Sequence, residues 1–188
     1  MEMKQECVFF AEGFEEIEAL TVVDLLRRAD VPVKMAGIAG KKDVTGSHGI
    51  RVGMDAGIDE IALEDVEMLV LPGGMPGTKY LGACEELVSL LKRADERKIR
   101  IGAICAAPSV LGDLGLLKGK KAVCYPGFEE RLTGADVLTV PAVTDGHITT
   151  SRGLGTAVPF ALEIIANLKG KEEAKRIAES VIYTGALV

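Results

Sequence analysis

Short apolar runs alternate along this chain with stretches whose apolar residues recur every three or four positions, and that alternation predicts the architecture. Cys7–Phe10 is uninterrupted and apolar, the pattern of a strand buried on both faces. Glu15–Ala29 carries Ile17, Leu20, Val23 and Leu26 at helical spacing until Asp30-Val31-Pro32 breaks it. Val33–Ala36 predicts a second strand. Lys41–Gly49 is polar and glycine-rich, a hairpin or loop leading to a short strand near Ile50–Met54. Met68–Leu71 is another buried strand, ending at Pro72-Gly73-Gly74. Cys84–Arg97 is an amphipathic helix with Leu87, Leu90, Leu91 and Ala94 inward, and Ile99–Ile104 is the central strand. Ala122–Cys124 predicts a further strand. Asp145-Gly146, flanked by Ala142–Thr144 and Ile148–Ser151, signals a hairpin. Thr156–Leu168 and Glu172–Ser180 close the chain as helices. Buried strands alternating with helices call for an α/β sheet covered on both faces. No linker or repeat interrupts the 188 residues, so a single domain over 1–188 is expected.

The candidate chemistry lies where strands hand over to helices. The run ending at Ile104 delivers a thiol, Cys105, to the small residues Ala106-Ala107 before Pro108 opens a helix. Free amides and the helix dipole favour an anion there. Such placement lowers a cysteine pKa from about 8.5 to roughly 3.5–7.5, which predicts a thiolate nucleophile. The competing reading is a packed, inert cysteine. Glu15, Glu16 and Glu18 crowd the start of the first helix, either complementing its dipole or supplying one catalytic carboxylate. Gly73-Gly74 is either a plain turn or a place where backbone amides meet a ligand. Arg152, in Ser151-Arg152-Gly153-Leu154-Gly155-Thr156, either holds a carboxylate or phosphate or pairs with a surface glutamate. The G-x-G in that segment lacks a third glycine and lies far from the first strand–helix unit, so it is not a dinucleotide fingerprint. Thiol, carboxylate and amides at one sheet edge are the minimal set for attack on a carbonyl.

Composition narrows the classes. With 48% hydrophobic and 27% charged residues the chain is globular, and its net charge of −6 argues against nucleic acid or an anionic membrane as a main partner. No apolar stretch reaches the roughly 18 residues of a membrane span. Met1–Glu6 lacks the profile of a signal peptide, so a cytoplasmic location is the expectation. Cys7, Cys84, Cys105 and Cys124 include no CxxC pair and are expected as thiols. With only His48 and His147, both expected at the surface, no metal site is expected and no histidine is local to Cys105.

Four segments, Ala11-Glu12-Gly13-Phe14-Glu15-Glu16-Ile17-Glu18, Leu71-Pro72-Gly73-Gly74, Ala103-Ile104-Cys105-Ala106-Ala107-Pro108 and Thr150-Ser151-Arg152-Gly153-Leu154-Gly155-Thr156, resemble the ThiJ/PfpI superfamily in the same order. The resemblance is closest to the branch of the Parkinson-disease protein deglycase ("DJ-one") and its bacterial homologues. It implies a flavodoxin-like three-layer sandwich and a homodimer. It implies Cys105 as nucleophile on a strained elbow, a protonated Glu18 hydrogen-bonded to it, and an oxyanion pocket from the amides of Gly74 and Ala106, with Gly73, Glu15, Arg152 and Tyr125 around the substrate. The implied activities need no cofactor: glyoxalase action on methylglyoxal-type dicarbonyls, deglycation of their adducts, and redox-dependent chaperoning. Members with peptidase chemistry carry His after the nucleophile, where this chain has Ala106. Some glyoxalase-active members carry His where Tyr125 stands, and His48 takes the place of a family Arg.

Overall fold

A computed structural model describes residues 4–186; Met1–Met3, part of the segment weighed as a signal peptide, and residues 187–188 lie outside the described residues. The strands are β1 (Gln5–Phe10), β2 (Val33–Gly37), β3 (Asp43–Thr45), β4 (Arg51–Gly53), β5 (Ala56–Gly57), β6 (Val66–Leu71), β7 (Arg100–Ile104), β8 (Lys121–Ala122), β9 (Asp136–Val137), β10 (Ala142–Asp145) and β11 (Ile148–Ser151). The helices are α1 (Glu16–Arg28), α2 (Gly77–Ala83), α3 (Glu85–Glu96), α4 (Pro108–Asp113), α5 (Ala157–Lys169) and α6 (Lys171–Ser180). Seven strands form one sheet in the order β10-β11-β7-β6-β1-β2-β5. Only β10–β11 is antiparallel, closed one residue beyond expectation by a turn at Gly146-His147.

Strand side chains alternate between two cores, as the pleat requires. Cys7, Phe9, Leu69, Leu71, Ile101 and Ala103 face one side and pack with Leu81 of α2, Leu87 and Leu91 of α3, and Val110 and Leu111 of α4. Val8, Phe10, Met68, Val70 and Ile104 face the other and pack with Val22 and Leu26 of α1, Phe160 and Ile164 of α5, and Ile177 of α6. The result is the flavodoxin-like three-layer sandwich expected. Gly102 makes the second core possible: a Cβ there would come within 2.8 Å of Met68 Cε and 3.1 Å of Phe160 Cζ.

The differences from expectation concern short elements. The strand expected at Ala122–Cys124 is Lys121–Ala122, paired with β9 outside the main sheet. Val123 leaves that pairing and donates its amide to Thr150 Oγ1 at 2.9 Å. Helix α2 and the two-residue strands β5 and β9 went unrecognised because elements that short carry no periodicity. His147, expected at the surface beside a turn, is instead half-buried, with Nε2 2.7 Å from Asp95 Oδ1 of α3. Burial holds its pKa below the ordinary value despite that carboxylate. No helix of the described residues is long and apolar enough to cross a membrane.

The order of strands places the chemistry. The four motif segments follow β1, β6, β7 and β11, which are adjacent in the sheet, and all leave from the carboxyl ends of those strands. Open parallel sheets bind ligands at that edge.

Candidate active site

Cys105 follows β7 directly and adopts φ +66°, a left-handed conformation that costs a residue with a Cβ about 1–2 kcal/mol. Backbone contacts on both sides hold it there. Its amide donates to Ser151 O at 3.0 Å, and its carbonyl accepts from Tyr125 N at 2.7 Å. The turn then closes through Ala107 N to Ile104 O, and Pro108 starts α4. The elbow carries the thiol to the start of α4, where the amides of Ala106 and Gly74 act on the sulfur and lower its pKa.

The glutamates at the start of α1 divide three tasks. Glu15 is the N-cap: its Oε2 accepts from Glu18 N at 2.8 Å. Glu16 holds the following loop, accepting from His48 N at 2.8 Å and Ile50 N at 3.4 Å, with His48 Nδ1 at 3.0 Å. Glu18 points inward and is fully buried. Its Oε2 accepts from Gly73 N at 2.9 Å, its carboxyl interacts with the Cys105 thiol, and its Oε1 has no hydrogen-bond partner.

Glycine is required at positions 73 and 74 for different reasons. A Cβ on Gly73 would lie 2.6 Å from both Cys105 Cβ and Glu18 Oε2, so the residue is wedged between the two reactive groups. Gly74 has φ +91°, and a Cβ there would lie 2.3 Å from Glu15 N. That close approach is what brings the Gly74 amide to the sulfur.

The electrostatics differ from the expectation of an acidified thiol. Burial, then the neighbouring Glu18 charge and hydrogen bond, push Cys105 up to about 12, against the two amides that lower it. Helix α4 has only six residues, so its dipole is a weak counterweight. Burial pushes Glu18 up to about 7, with the Glu15 charge adding to it and the thiol and the Gly73 amide opposing it. The two groups touch and titrate as a pair: the first proton leaves near pH 7 and the second near 12. Above pH 7 the pair carries one negative charge, on the Glu18 carboxylate, beside a neutral thiol.

Other expected site residues fall at different distances from this centre. Tyr125 borders it through its amide bond to Cys105 O. Arg152 turns its guanidinium to the Thr139 carbonyl at 3.5 Å, and its charge acts on the Cys124 thiol, not on Cys105. His48 is exposed as expected, yet the Glu16 carboxylate raises its pKa. Among the described residues, Glu15, Glu16 and His48 are the group of possible metal ligands drawn together, with one atom from each within 4.8 Å of the others. Both Glu16 oxygens already accept hydrogen bonds. Sequence reasoning passed over Glu6, a buried carboxyl on β1 at the opposite edge of the sheet, because one polar residue opening a strand looks solvent-facing.

Residues 4–167 match the family model DJ-1/PfpI family. The chain belongs to the DJ-1/PfpI family. It is 37% identical over 179 residues to Protein DJ-1 homolog A of Arabidopsis thaliana, covering 95% of this chain and 46% of that protein. The chain thus spans about half the length of that curated relative. It is 32% identical over 168 residues to the Glutathione-independent glyoxalase DJR-1.2 of Caenorhabditis elegans, covering 88% of this chain and 89% of that one. The oxidized DJ-1 of Toxoplasma gondii superimposes with a TM-score of 0.92 at 36% identity, covering 97% of this chain and 100% of the other. These DJ-1 proteins place the chain in the DJ-1 branch.

Proposed function

We propose that this protein is a cofactor-independent glyoxalase, converting methylglyoxal-type 2-oxoaldehydes to 2-hydroxy acids through Cys105 and Glu18. The observation that carries the reading is the Glu18 carboxyl, held near 7 against the Cys105 sulfur with one oxygen left free. A group poised near neutrality can both take and give a proton. The glyoxalase activity of the Caenorhabditis relative supports the same reading.

The steps follow from the geometry. The sulfur attacks the aldehyde carbon and its proton passes to Glu18, so a thiol near 12 needs no standing thiolate population. In this reaction the amides of Gly74 and Ala106, which act on the sulfur, donate to the oxygen that gains charge beside it. Glu18 hands the thiol proton to the new hemithioacetal oxygen and, a carboxylate again, removes the C1 hydrogen as a proton and returns it to C2, through an enediol whose C1 hydroxyl proton passes to the C2 oxygen. C1 is oxidised to a thioester and C2 is reduced to an alcohol, so no external oxidant enters. Water cleaves the thioester, giving the 2-hydroxy acid and the free thiol. For a dicarbonyl adduct on an amino group, the sulfur displaces the amine at C1: the C–N bond breaks, the amine leaves with the thiol's proton, and the same hemithioacetal results, which is the deglycase form of the reaction.

A homodimer is part of the proposal. Ile17 of α1 and Ile50 are each about half exposed, at 51% and 52%, apolar surface for a second copy to cover. Light scattering should return twice the chain mass, and a monomer would reject it.

A second reading has its own observation. The amides of Ala106 and Gly74, which oppose the upward shift of the Cys105 thiol, also suit a sulfinate, and the Toxoplasma structure is of an oxidized DJ-1. Under mild peroxide, intact mass should show two oxygens confined to Cys105. Oxidation spread over all four cysteines would sink the sensor reading.

A further inference from the structure

The start of α1 and the loop between β3 and β4 bring three metal-ligating side chains together. Glu15 and Glu16 are adjacent in sequence, and their side chains are only 9% and 5% exposed. Among the described residues no lysine or arginine forms an ion pair with either, and the basic group that reaches them is His48. One histidine can offset one carboxylate at most, and a buried charge without a partner is costly. Hydrogen bonds fix the far oxygen of each carboxylate. Glu15 Oε2 accepts from Glu18 N at 2.8 Å, and Glu16 Oε1 accepts from His48 N at 2.8 Å and Ile50 N at 3.4 Å. The near oxygens converge on one ring nitrogen. His48 Nδ1 lies 3.0 Å from Glu16 Oε2 and 3.9 Å from Glu15 Oε1, the second too far for a hydrogen bond. Ser47 Oγ stands 3.3 Å from Glu16 Oε2 and 3.1 Å from His48 Nδ1. The loop is itself held: Gly46 N donates to Ile50 O, Ser47 N donates to Phe14 O, and a Cβ on Gly46 would collide with the Glu16 carboxylate.

We propose that Glu15, Glu16 and His48 form a binding site for a divalent cation of the zinc class. One imidazole with two carboxylates is a donor set that suits zinc. Ligand atoms about 2.1 Å from one tetrahedral ion stand about 3.4 Å from each other. The separations of 3.0 and 3.9 Å straddle that figure, and all three donor atoms lie within 4.8 Å of one another. The cation replaces the hydrogen between His48 Nδ1 and Glu16 Oε2: the ring gives up that proton to solvent, Nδ1 becomes a ligand, and the Ser47 hydroxyl turns away. The amides on the far oxygens keep the two carboxylates aimed at the ion. The His48 side chain is 70% exposed, so the ion enters from solvent and water completes its coordination. Its two charges offset both buried carboxylates. The cation takes no part in the steps drawn for Cys105 and Glu18, and the site stands independently of the glyoxalase reading.

The test is zinc binding by equilibrium dialysis of the chelator-stripped full chain at neutral pH, in wild type, His48→Arg, Glu15→Gln and Cys105→Ser. Wild type should bind one equivalent in the micromolar range. His48→Arg, which supplies charge but no ligand, and Glu15→Gln, which keeps an oxygen for the Glu18 amide, should each bind about 100-fold more weakly or worse. Cys105→Ser should bind as wild type does, which separates this site from a thiol site. A second measurement needs no variant: cobalt(II) added to the nitrogen-labelled wild type should broaden the amide signals of Glu16, His48 and Ile50 first. The inference is overturned if wild type takes up no zinc in that range or if His48→Arg and Glu15→Gln bind as tightly as wild type. It is equally overturned if Cys105→Ser loses the zinc or the broadening centres elsewhere. Since the readout is binding, none of these outcomes depends on whether lactate is made.

Discussion

Replacing Glu6 by glutamine should stabilise the protein at pH 8 and do little at pH 5. Glu6 opens β1, is 2% exposed, and has one carboxylate oxygen without a partner. Burial, and then the Glu67 charge, push its carboxyl up to about 7, against the smaller opposing pull of Arg100. The group is raised in the folded state and returns to its ordinary value near 4.5 on unfolding. Between those values the unfolded chain releases a proton that the folded chain keeps, so stability falls as pH rises from 4.5 to 7 and is level above. At about 1.36 kcal/mol for each tenfold change in proton affinity, the full penalty is at most about 3 kcal/mol, of which about 2 kcal/mol develops between pH 5 and 8. Glutamine keeps the shape and never ionises. Urea unfolding of wild type and Glu6→Gln at both pH values isolates this group, because Glu18 and every other titrating residue are common to the two proteins. The variant should gain about 2 kcal/mol more at pH 8 than at pH 5, or roughly 4–8 °C in melting temperature for a chain of this size. An equal effect at both pH values would refute the argument, since it would mean that Glu6 does not titrate in this range.

Two further predictions concern the site and the core. In wild type, kcat/KM for methylglyoxal should rise with pH through an apparent pKa near 7, as the Cys105–Glu18 pair loses its first proton, and Glu18→Gln should cut activity about 100-fold or more and erase that inflection. A pH-independent wild-type profile between 6 and 8 would contradict the assignment. Phe160→Ala should cost about 3–5 kcal/mol in chemical denaturation, because Phe160 is fully buried against Gly102 and the cavity lies in the middle of a core.

The sheet and the place of the site were legible because their signals are local. Cys7–Phe10, Met68–Leu71 and Ile99–Ile104 are continuous apolar runs, and each gives way at once to a segment bearing site residues. Glycines 73 and 74 could be singled out from their pairing after a buried strand, although only the fold shows that one is wedged between thiol and carboxylate and the other brings an amide to the sulfur. The division of labour among Glu15, Glu16 and Glu18 was not readable. All three sit in one helical turn, and what separates them is the capped amide, the His48 loop and Gly73, the last 55 positions away from Glu18. The thiol failed for a related reason. The helix after Cys105 could be read from Pro108, but the burial and the glutamate charge that outweigh it come from other parts of the chain. His147 shows the same limit, since its partner Asp95 lies 52 positions earlier on α3.

The central claim is that Cys105 and Glu18 together convert a 2-oxoaldehyde to a 2-hydroxy acid without a cofactor. The direct measurement is lactate formed from methylglyoxal in a buffer free of amines and thiols, with wild type beside Cys105→Ser and Glu18→Gln. The account predicts stoichiometric lactate from wild type and none above background from either variant. Lactate from Cys105→Ser at the wild-type rate, or none from wild type, would contradict it.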